Sequence, residues 1–282
     1  MLCWGLNSGL QVTYEEAPAV VLEPLVVGTL AATAVAVSRA ISCIATGSEL
    51  SCWGATLPNE QTVSIRVDDT IRALTAGNRH LCVRTASTGA YCAGDSGGGR
   101  LGGDIRHDQV LPYAQPFTSG VRMLAAGYNH TCAVFGDDTS QDVACWGHND
   151  VGQCGSAPSD QFLDAPTSVA VLAGGQYIGI AAGDNHTCVV RAADGHVLCW
   201  GDNLSGQTEV GGITAGFDAK EVLLDGEPVV ALEIVAGRLH ACARTARAIV
   251  CWGDNASLQL GTDDPAARSH VTSFDCGSKT QD

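Results

Sequence analysis

Lysine is nearly missing from this chain. Lys220 and Lys279 are its only lysines, and 15 Lys and Arg residues face 30 Asp and Glu, for a formal net charge of -15 over 282 residues. That balance opposes a phosphate backbone and offers no basic patch to anionic lipid, so neither nucleic acid nor membrane insertion is expected. Long apolar runs are missing as well. The run Leu25 to Val37 has 13 residues and contains Gly28 and Thr33, short of the roughly 20 that a bilayer-spanning helix needs; it reads as a core strand leading into a repeat. Aromatic residues make up 5% of the chain, too few to fill a core alone. No signal-peptide pattern precedes the first motif. The chain opens with MLCWG, already inside a repeat unit, and reads as a fragment or a misplaced start.

What the chain does have is repetition. AGNRHLC (Ala76 to Cys82), AGYNHTC (Ala126 to Cys132), AGDNHTC (Ala182 to Cys188) and AGRLHAC (Ala236 to Cys242) are copies of one segment, with VSRAISC, ending at Cys43, as a degraded copy. Cys-Trp-Gly follows at Cys52, Cys145, Cys199 and Cys251, Cys-Ala-Gly takes its place at Cys92, and an orphan Cys-Trp-Gly stands at Cys3. All five tryptophans, Trp4, Trp53, Trp146, Trp200 and Trp252, occupy this slot. Between the two halves of a unit lies a hairpin, clearest at Asp194-Gly195. After Cys-Trp-Gly come a polar turn and another apolar strand. Short antiparallel strands in series, without helical periodicity, predict an all-β radial array, a β-propeller.

Ten of the 13 cysteines fall into five close pairs with 8, 9, 12, 10 and 8 residues between them. Such short separations put both sulfurs on neighbouring antiparallel strands. The predicted disulfides are Cys43 to Cys52, Cys82 to Cys92, Cys132 to Cys145, Cys188 to Cys199 and Cys242 to Cys251. Each closes a loop worth about 3 kcal/mol on the chain-entropy model, and together they point to an oxidising compartment. The spacing is not the Cys-x-x-Cys of redox enzymes. A bond between Cys3 and Cys276, closing the ring by letting the first strand complete the last blade, stays open, and Cys154 has no evident partner.

The pattern Ala-Gly-x-x-His-x-Cys, hairpin, Cys-Trp-Gly-Asp-Asn, then Gly-Gln-x-Gly or Leu-Gln-Leu-Gly, closely resembles the regulator of chromosome condensation repeat in its cysteine-rich, secreted or surface form. The resemblance runs from Cys3 to about Gly261. It implies a propeller of about six blades, or an incomplete seven-bladed ring, as one domain over residues 1–282. In that division an N-terminal half-blade covers 1–16, full blades run to about 261, and 262–282 form a tail or closing strand. The repeated residues His80, His130, His186 and His240, with Trp53, Trp146, Trp200 and Trp252, are then structural, serving blade packing. Ultraviolet-sensing relatives cluster tryptophans in Gly-Trp-Arg-His-Thr motifs. This chain has GYNHT, GDNHT and GNRHL there, so no chromophore cage is expected.

Other constellations dissolve into the repeat. CAGDSGGG, Cys92 to Gly99, mimics the signature around a chymotrypsin-type nucleophile and nominates Ser96, but only His80 precedes it, 16 residues away, and Cys, Gly and Asp are already repeat residues. The repeated histidines read as buried groups that hydrogen-bond backbone between strands rather than zinc ligands, since each unit supplies three candidates where structural zinc wants four. The acidic stretch Gly136 to Asp142 lacks calcium-loop order, and Gly97 to Gly103 lacks the Lys of a phosphate loop. Sequons occur at Asn129, Asn185, Asn203 and Asn255; the first two fall in enclosed strands and the last two in turns open to sugar.

No residue set forms a catalytic centre, metal site or cofactor site. The expected function is therefore a non-enzymatic, disulfide-stabilised binding propeller, extracellular, at a cell surface or periplasmic, monomeric, with a protein partner of unknown identity. Its irregular stretches Ser96 to Tyr113, Gly136 to Asp142 and Cys154 to Asp164 are the candidate binding loops. The alternative that the resemblance implies is guanine-nucleotide exchange on a small GTPase, although no long insertion offers itself as the wedge such an activity requires.

Overall fold

The computed structural model describes residues 2–6, 20–26, 32–38, 41–54, 63–87, 89–103, 109–114, 120–209, 212 and 214–273. The chain enters with a two-stranded antiparallel sheet, β1 (Leu2–Leu6) against β2 (Val20–Val26). Five four-stranded antiparallel sheets follow among the described residues, and each uses its strands in chain order. The first blade is β3 (Ala34–Val37), β4 (Ile41–Thr46), β5 (Glu49–Gly54) and β6 (Val63–Arg66). The second is β7 (Ile71–Ala76), β8 (His80–Thr85), β9 (Ala90–Gly94) and β10 (Gln109–Ala114). The third is β11 (Val121–Ala126), β12 (His130–Gly136), β13 (Gln141–Asn149) and β14 (Ser159–Ser168). The fourth is β15 (Tyr177–Ala182), β16 (His186–Arg191), β17 (Val197–Gly201) and β18 (Gly216–Glu221). A two-residue ladder, β19 (Leu223–Leu224) on β20 (Glu227–Pro228), leads to the fifth, β21 (Glu233–Ala236), β22 (His240–Arg244), β23 (Ala248–Gly253) and β24 (Ser269–Ser273).

This architecture corrects three boundaries. The apolar run Leu25 to Val37 is not one strand: β2 ends at Val26 and β3 begins at Ala34. The fifth blade does not stop near Gly261, because β24 supplies its outer strand as far as Ser273. The first strand does not complete the last blade either, since β1 pairs with β2 and β24 fills the outer place. Cys276 lies outside the described residues, so a bond from Cys3 to Cys276 is not addressed.

Within each blade the paired cysteines face each other across the second and third strands. Cys43 is in register with Cys52, Cys82 with Cys92, Cys132 with Cys145, Cys188 with Cys199 and Cys242 with Cys251. Each pair forms a disulfide, with Cα atoms 4.0 to 4.1 Å apart. Cys154 is a buried free thiol whose Sγ donates to the carbonyl of His148.

The apolar core is divided into joints between blades. Leu50 and Ile65 of the first blade pack with Ile71, Leu81 and Val83 of the second. Cys82, Cys92 and Leu101 meet Ala133 and Trp146 of the third. Val134 and Val143 meet Leu198 and Trp200, and Val190 and Val197 meet Ile234 and Trp252. A sheet with two apolar faces is covered only when a neighbour stands on each side. At the ends of the series Val35 and Val37 of the first blade are 56% and 72% exposed, and Val235 of the fifth is 62% exposed.

A polar latch runs through two of these joints. Thr131 Oγ1 donates to the carbonyl of Arg100 at 3.1 Å, and Trp146 Nε1 donates to the same oxygen at 3.0 Å. Because the hydroxyl proton is spent there, Thr131 accepts from Nε2–H of His80, 2.8 Å away. The next joint repeats the device: His130 Nε2 lies 2.9 Å from Thr187 Oγ1, which donates to the carbonyl of Gln153, as Trp200 Nε1 does. The histidines thus reach a threonine of the following blade rather than serving the strands of their own. At the fourth joint Trp252 still donates to the carbonyl of Gln207, but Ala241 stands in the threonine slot and neither ring nitrogen of His186 has a partner among the described residues. Glycine precedes each of these histidines because a Cβ on Gly77, Gly127 or Gly183 would collide with the imidazole of its own blade and the glycine carbonyl of the next.

The latch sets two expectations. T187V leaves His130 Nε2 without its buried partner and removes one of the two donors to the Gln153 carbonyl, and should lower stability by about 1 to 2 kcal/mol, whereas A241T supplies the missing acceptor to His186 and should raise it by about 1 kcal/mol; thermal denaturation of both variants checks this. Burial first, with Arg100 and His130 beside it, pulls the pKa of His80 down to about 3. Burial first, aided by His148, brings His130 to about 4, and burial first, aided by His130 and His240, brings His186 to about 3. All three are below the unfolded value near 6.5, so the unfolded chain takes up protons that the folded one refuses. Stability should be complete above about pH 7 and fall as pH drops from 6.5 toward 3 to 4, by up to about 1.4 kcal/mol per pH unit for each histidine. Equilibrium unfolding across that range reads the slope.

Candidate binding surface

Each blade presents two ends. At one end the turn between first and second strands sits beside the loop that follows Cys-Trp-Gly, tied to it by backbone bonds from Asp95 N to Arg79 O, His148 N to Asn129 O, Asp202 N to Asn185 O and Asp254 N to Leu239 O. The hairpins between second and third strands, including Gly136 to Gln141, lie at the opposite end. At the motif end the inner turns surround a hollow of about 420 Å³. Its rim is stitched from blade to blade: Asn78 N donates to Tyr128 O at 3.4 Å, Tyr128 N to Asp184 O at 3.1 Å and Asp184 N to Arg238 O at 2.9 Å. Arg238 Nε also reaches Asp184 Oδ2 at 2.9 Å. The residue directly after each Ala-Gly is therefore a rim residue.

Of the three irregular stretches, two meet here. The short turn Gly97–Gly99 packs on β14, with Gly98 against His148 and Phe162 and Gly99 against Leu163 and Asp164. His148 and Phe162 lie with ring centroids 4.5 Å apart, and Phe162 is 48% exposed. An exposed aromatic on a fixed strand is the sort of group that anchors protein interfaces. Asp95 supports the patch: its carboxylate accepts from Gly97 N and lies 3.5 Å from Arg100 Nη1. Gly136 to Asp142 belongs to the other end, where Asp137 caps the hairpin through Thr139 and Ser140. Residues 104–108 fall outside the described residues.

Ser96 is buried, and His80 is committed to Thr131 in the next blade, so the protease-like signature assembles no nucleophile and base. The sequons are ordered opposite to expectation. Asn203 and Asn255 are buried, because their Oδ1 atoms accept from Thr208 and Glu209 N and from Leu260 N and so fold the loops around them, while Asn129 and Asn185 are half-buried. Asp194, His196 and Glu221 bring one ligand atom each within 4.8 Å of one another. Arg191, however, donates to Asp194 Oδ2 at 2.7 Å and to Glu221 Oε1 at 2.6 Å, and its guanidinium is the cation of that cluster. No helix of the described residues is long and apolar enough to cross a membrane.

Sequence reading missed the latch threonines and the rim. Their signal was the residue beside each motif histidine: Thr131 and Thr187 directly follow one, and Tyr128 and Asp184 stand two before.

Radial four-stranded blades, joined face to face through one recurring set of polar residues, define a repeat β-propeller. Models of the regulator of chromosome condensation (RCC1) repeat match residues 121–153 and 177–207, and a second such model matches 142–190. Residues 121–207 thus carry that repeat. The chain is 27% identical over 202 residues to the ultraviolet-B receptor UVR8 of Arabidopsis thaliana, covering 71% of this chain and 44% of the receptor, so it spans less than half of that relative's length. Among solved structures, Prp20p of Saccharomyces cerevisiae, described with its binding properties to Gsp1p and histones, superposes with a TM-score of 0.76 at 18% identity, over 98% of this chain and 73% of that one. The ectodomain of the Physcomitrella patens receptor kinase CR4 gives a TM-score of 0.52 at 20% identity, over 84% of this chain and 53% of that one. Trp146, Trp200 and Trp252 are each buried in separate joints and bonded to backbone.

Proposed function

We propose that residues 1–282 form one non-catalytic, protein-binding propeller, monomeric and working in an oxidising compartment: outside the cell, at its surface or in a periplasm. The observation that carries this reading is the disulfide in every one of the five described blades. A reducing compartment would keep these thiols apart and leave five cysteine pairs without a purpose. The likeness to a receptor-kinase ectodomain points the same way. The net charge of -15 favours a protein partner over nucleic acid. The partner is met at the motif end, where Phe162 and His148 stand on strands and the rim residues Tyr128 and Arg238 on the inner turns. Non-reducing peptide mass spectrometry of the native protein should recover the five bridges intact; finding those ten cysteines as free thiols would overturn the compartment and the stabilisation together.

A second reading, nucleotide exchange on a small GTPase, is favoured by the fold likeness to Prp20p. Release of a fluorescent GDP analogue from a panel of small GTPases tests it. The binding reading expects no acceleration.

A further inference from the structure

We propose that a hollow between the second and third blades, at the hairpin end, is an oxyanion-binding site in which Arg84 and Arg122 hold a carboxylate or phosphate group and Arg72 adds positive potential. The hollow has a volume of about 310 Å³ and is lined by Arg84, Val121, Arg122 and Gly136. The repeat explains how the arginines come together. Arg72 and Arg122 sit at the same irregular position near the start of successive inner strands, where the ladder skips from Ile71 to Ala73 in β7 and from Val121 to Met123 in β11. Arg84 stands on β8 opposite Ala73.

Their charge is only partly balanced from within. Arg84 Nε is closed off from solvent and has no hydrogen-bond partner among the described residues. Burial, with Arg72 beside it, holds the Arg84 pKa below its ordinary value. The fifth blade shows the self-contained alternative: Arg244, at the position equivalent to Arg84, faces Glu233 across the strand pair, with Nη2 to Oε1 at 2.7 Å and Nε to Oε2 at 3.0 Å. In the second blade Ala73 takes the place of that glutamate. Arg122 spends Nε on the carbonyl of Gly136 and Nη2 on Asp138, a hairpin-tip carboxylate that is 91% exposed. Among the described residues its Nη1 donors remain for a ligand. In a chain with twice as many acidic as basic residues, two arginines lining one hollow with Arg72 beside Arg84, and only the hairpin-tip carboxylates Asp137 and Asp138 acting on Arg122, are a charge arrangement that an outside anion completes. A bound oxyanion accepts from the planar fork of Arg84, satisfies the closed-off donor and offsets the repulsion from Arg72. The site stands apart from the motif-end surface and does not depend on the compartment.

The test is thermal denaturation of the native chain at low ionic strength with inorganic phosphate or acetate, chloride being the control at matched ionic strength. Phosphate or acetate should raise the melting temperature beyond chloride. R84Q should weaken that response by roughly tenfold or more in anion concentration, the loss of a charge-assisted hydrogen-bonding group, without lowering the melting temperature in anion-free buffer. D138N, which removes the competing carboxylate, should shift the response to lower anion concentration. A larger effect of phosphate names a phosphoryl group as the source, and a larger effect of acetate a carboxylate. The proposal is overturned if neither anion exceeds chloride, if R84Q responds like the native chain, or if R84Q melts lower without anion, as loss of a merely structural arginine would.

Discussion

Each blade is a small sheet with apolar side chains on both faces, and in water such a sheet is unsatisfied until a neighbour covers it. The packing between blades is thus the constraint from which the rest follows. Leu50 and Ile65 need Ile71 and Leu81, and Val134 and Val143 need Leu198 and Trp200. Because van der Waals packing of small side chains is tolerant of sliding, a polar device fixes the relative position of blades. The His80 to Thr131 and His130 to Thr187 bonds, with tryptophan N–H groups on the same carbonyls, are directional and buried, so a displaced blade would leave several donors without acceptors.

Cysteine pairing and blade packing act at different levels. The disulfides join second to third strands inside a blade, constraining the unfolded chain locally. They make no covalent link from one blade to the next, although Cys82 and Cys92 pack on Ala133 and Trp146 of the following blade. The joints rest on buried apolar surface and the histidine latch, and the latch is incomplete where Ala241 stands in for threonine. The fourth joint is accordingly the one held by apolar contact and by Trp252 alone among the polar groups of the latch.

The two ends of the blades carry different chemistry because they are built from different parts of the repeat. The motif end is made of turns tied to one another by backbone bonds, including the rim bonds from Asn78 to Arg238, so its variable side chains are displayed on a stiff frame. The hairpin end is free of motif residues, and charge accumulates there without regard to pairing inside the blade. Arg84 and Arg244 show this at one position of the repeat: the fifth blade supplies a glutamate across the ladder and the second does not.

The spacing of His-x-Cys and Cys-Trp-Gly by itself determined the strands, the hairpins and which cysteines stand opposite each other, because strand alternation and short hairpins are local rules. Blade order in chain order followed from the same repetition. Only the tertiary structure decided where the run Leu25 to Val37 breaks, that β24 closes the fifth blade, and that Asn203 and Asn255 turn inward to hold their loops. Those depend on neighbours distant in sequence. The same holds for the reach of His80 to Thr131, across 51 positions, and for the meeting of Phe162 with His148 and Gly98. A repeat states what each blade contains; the geometry of stacking decides which residue of one blade touches which residue of the next.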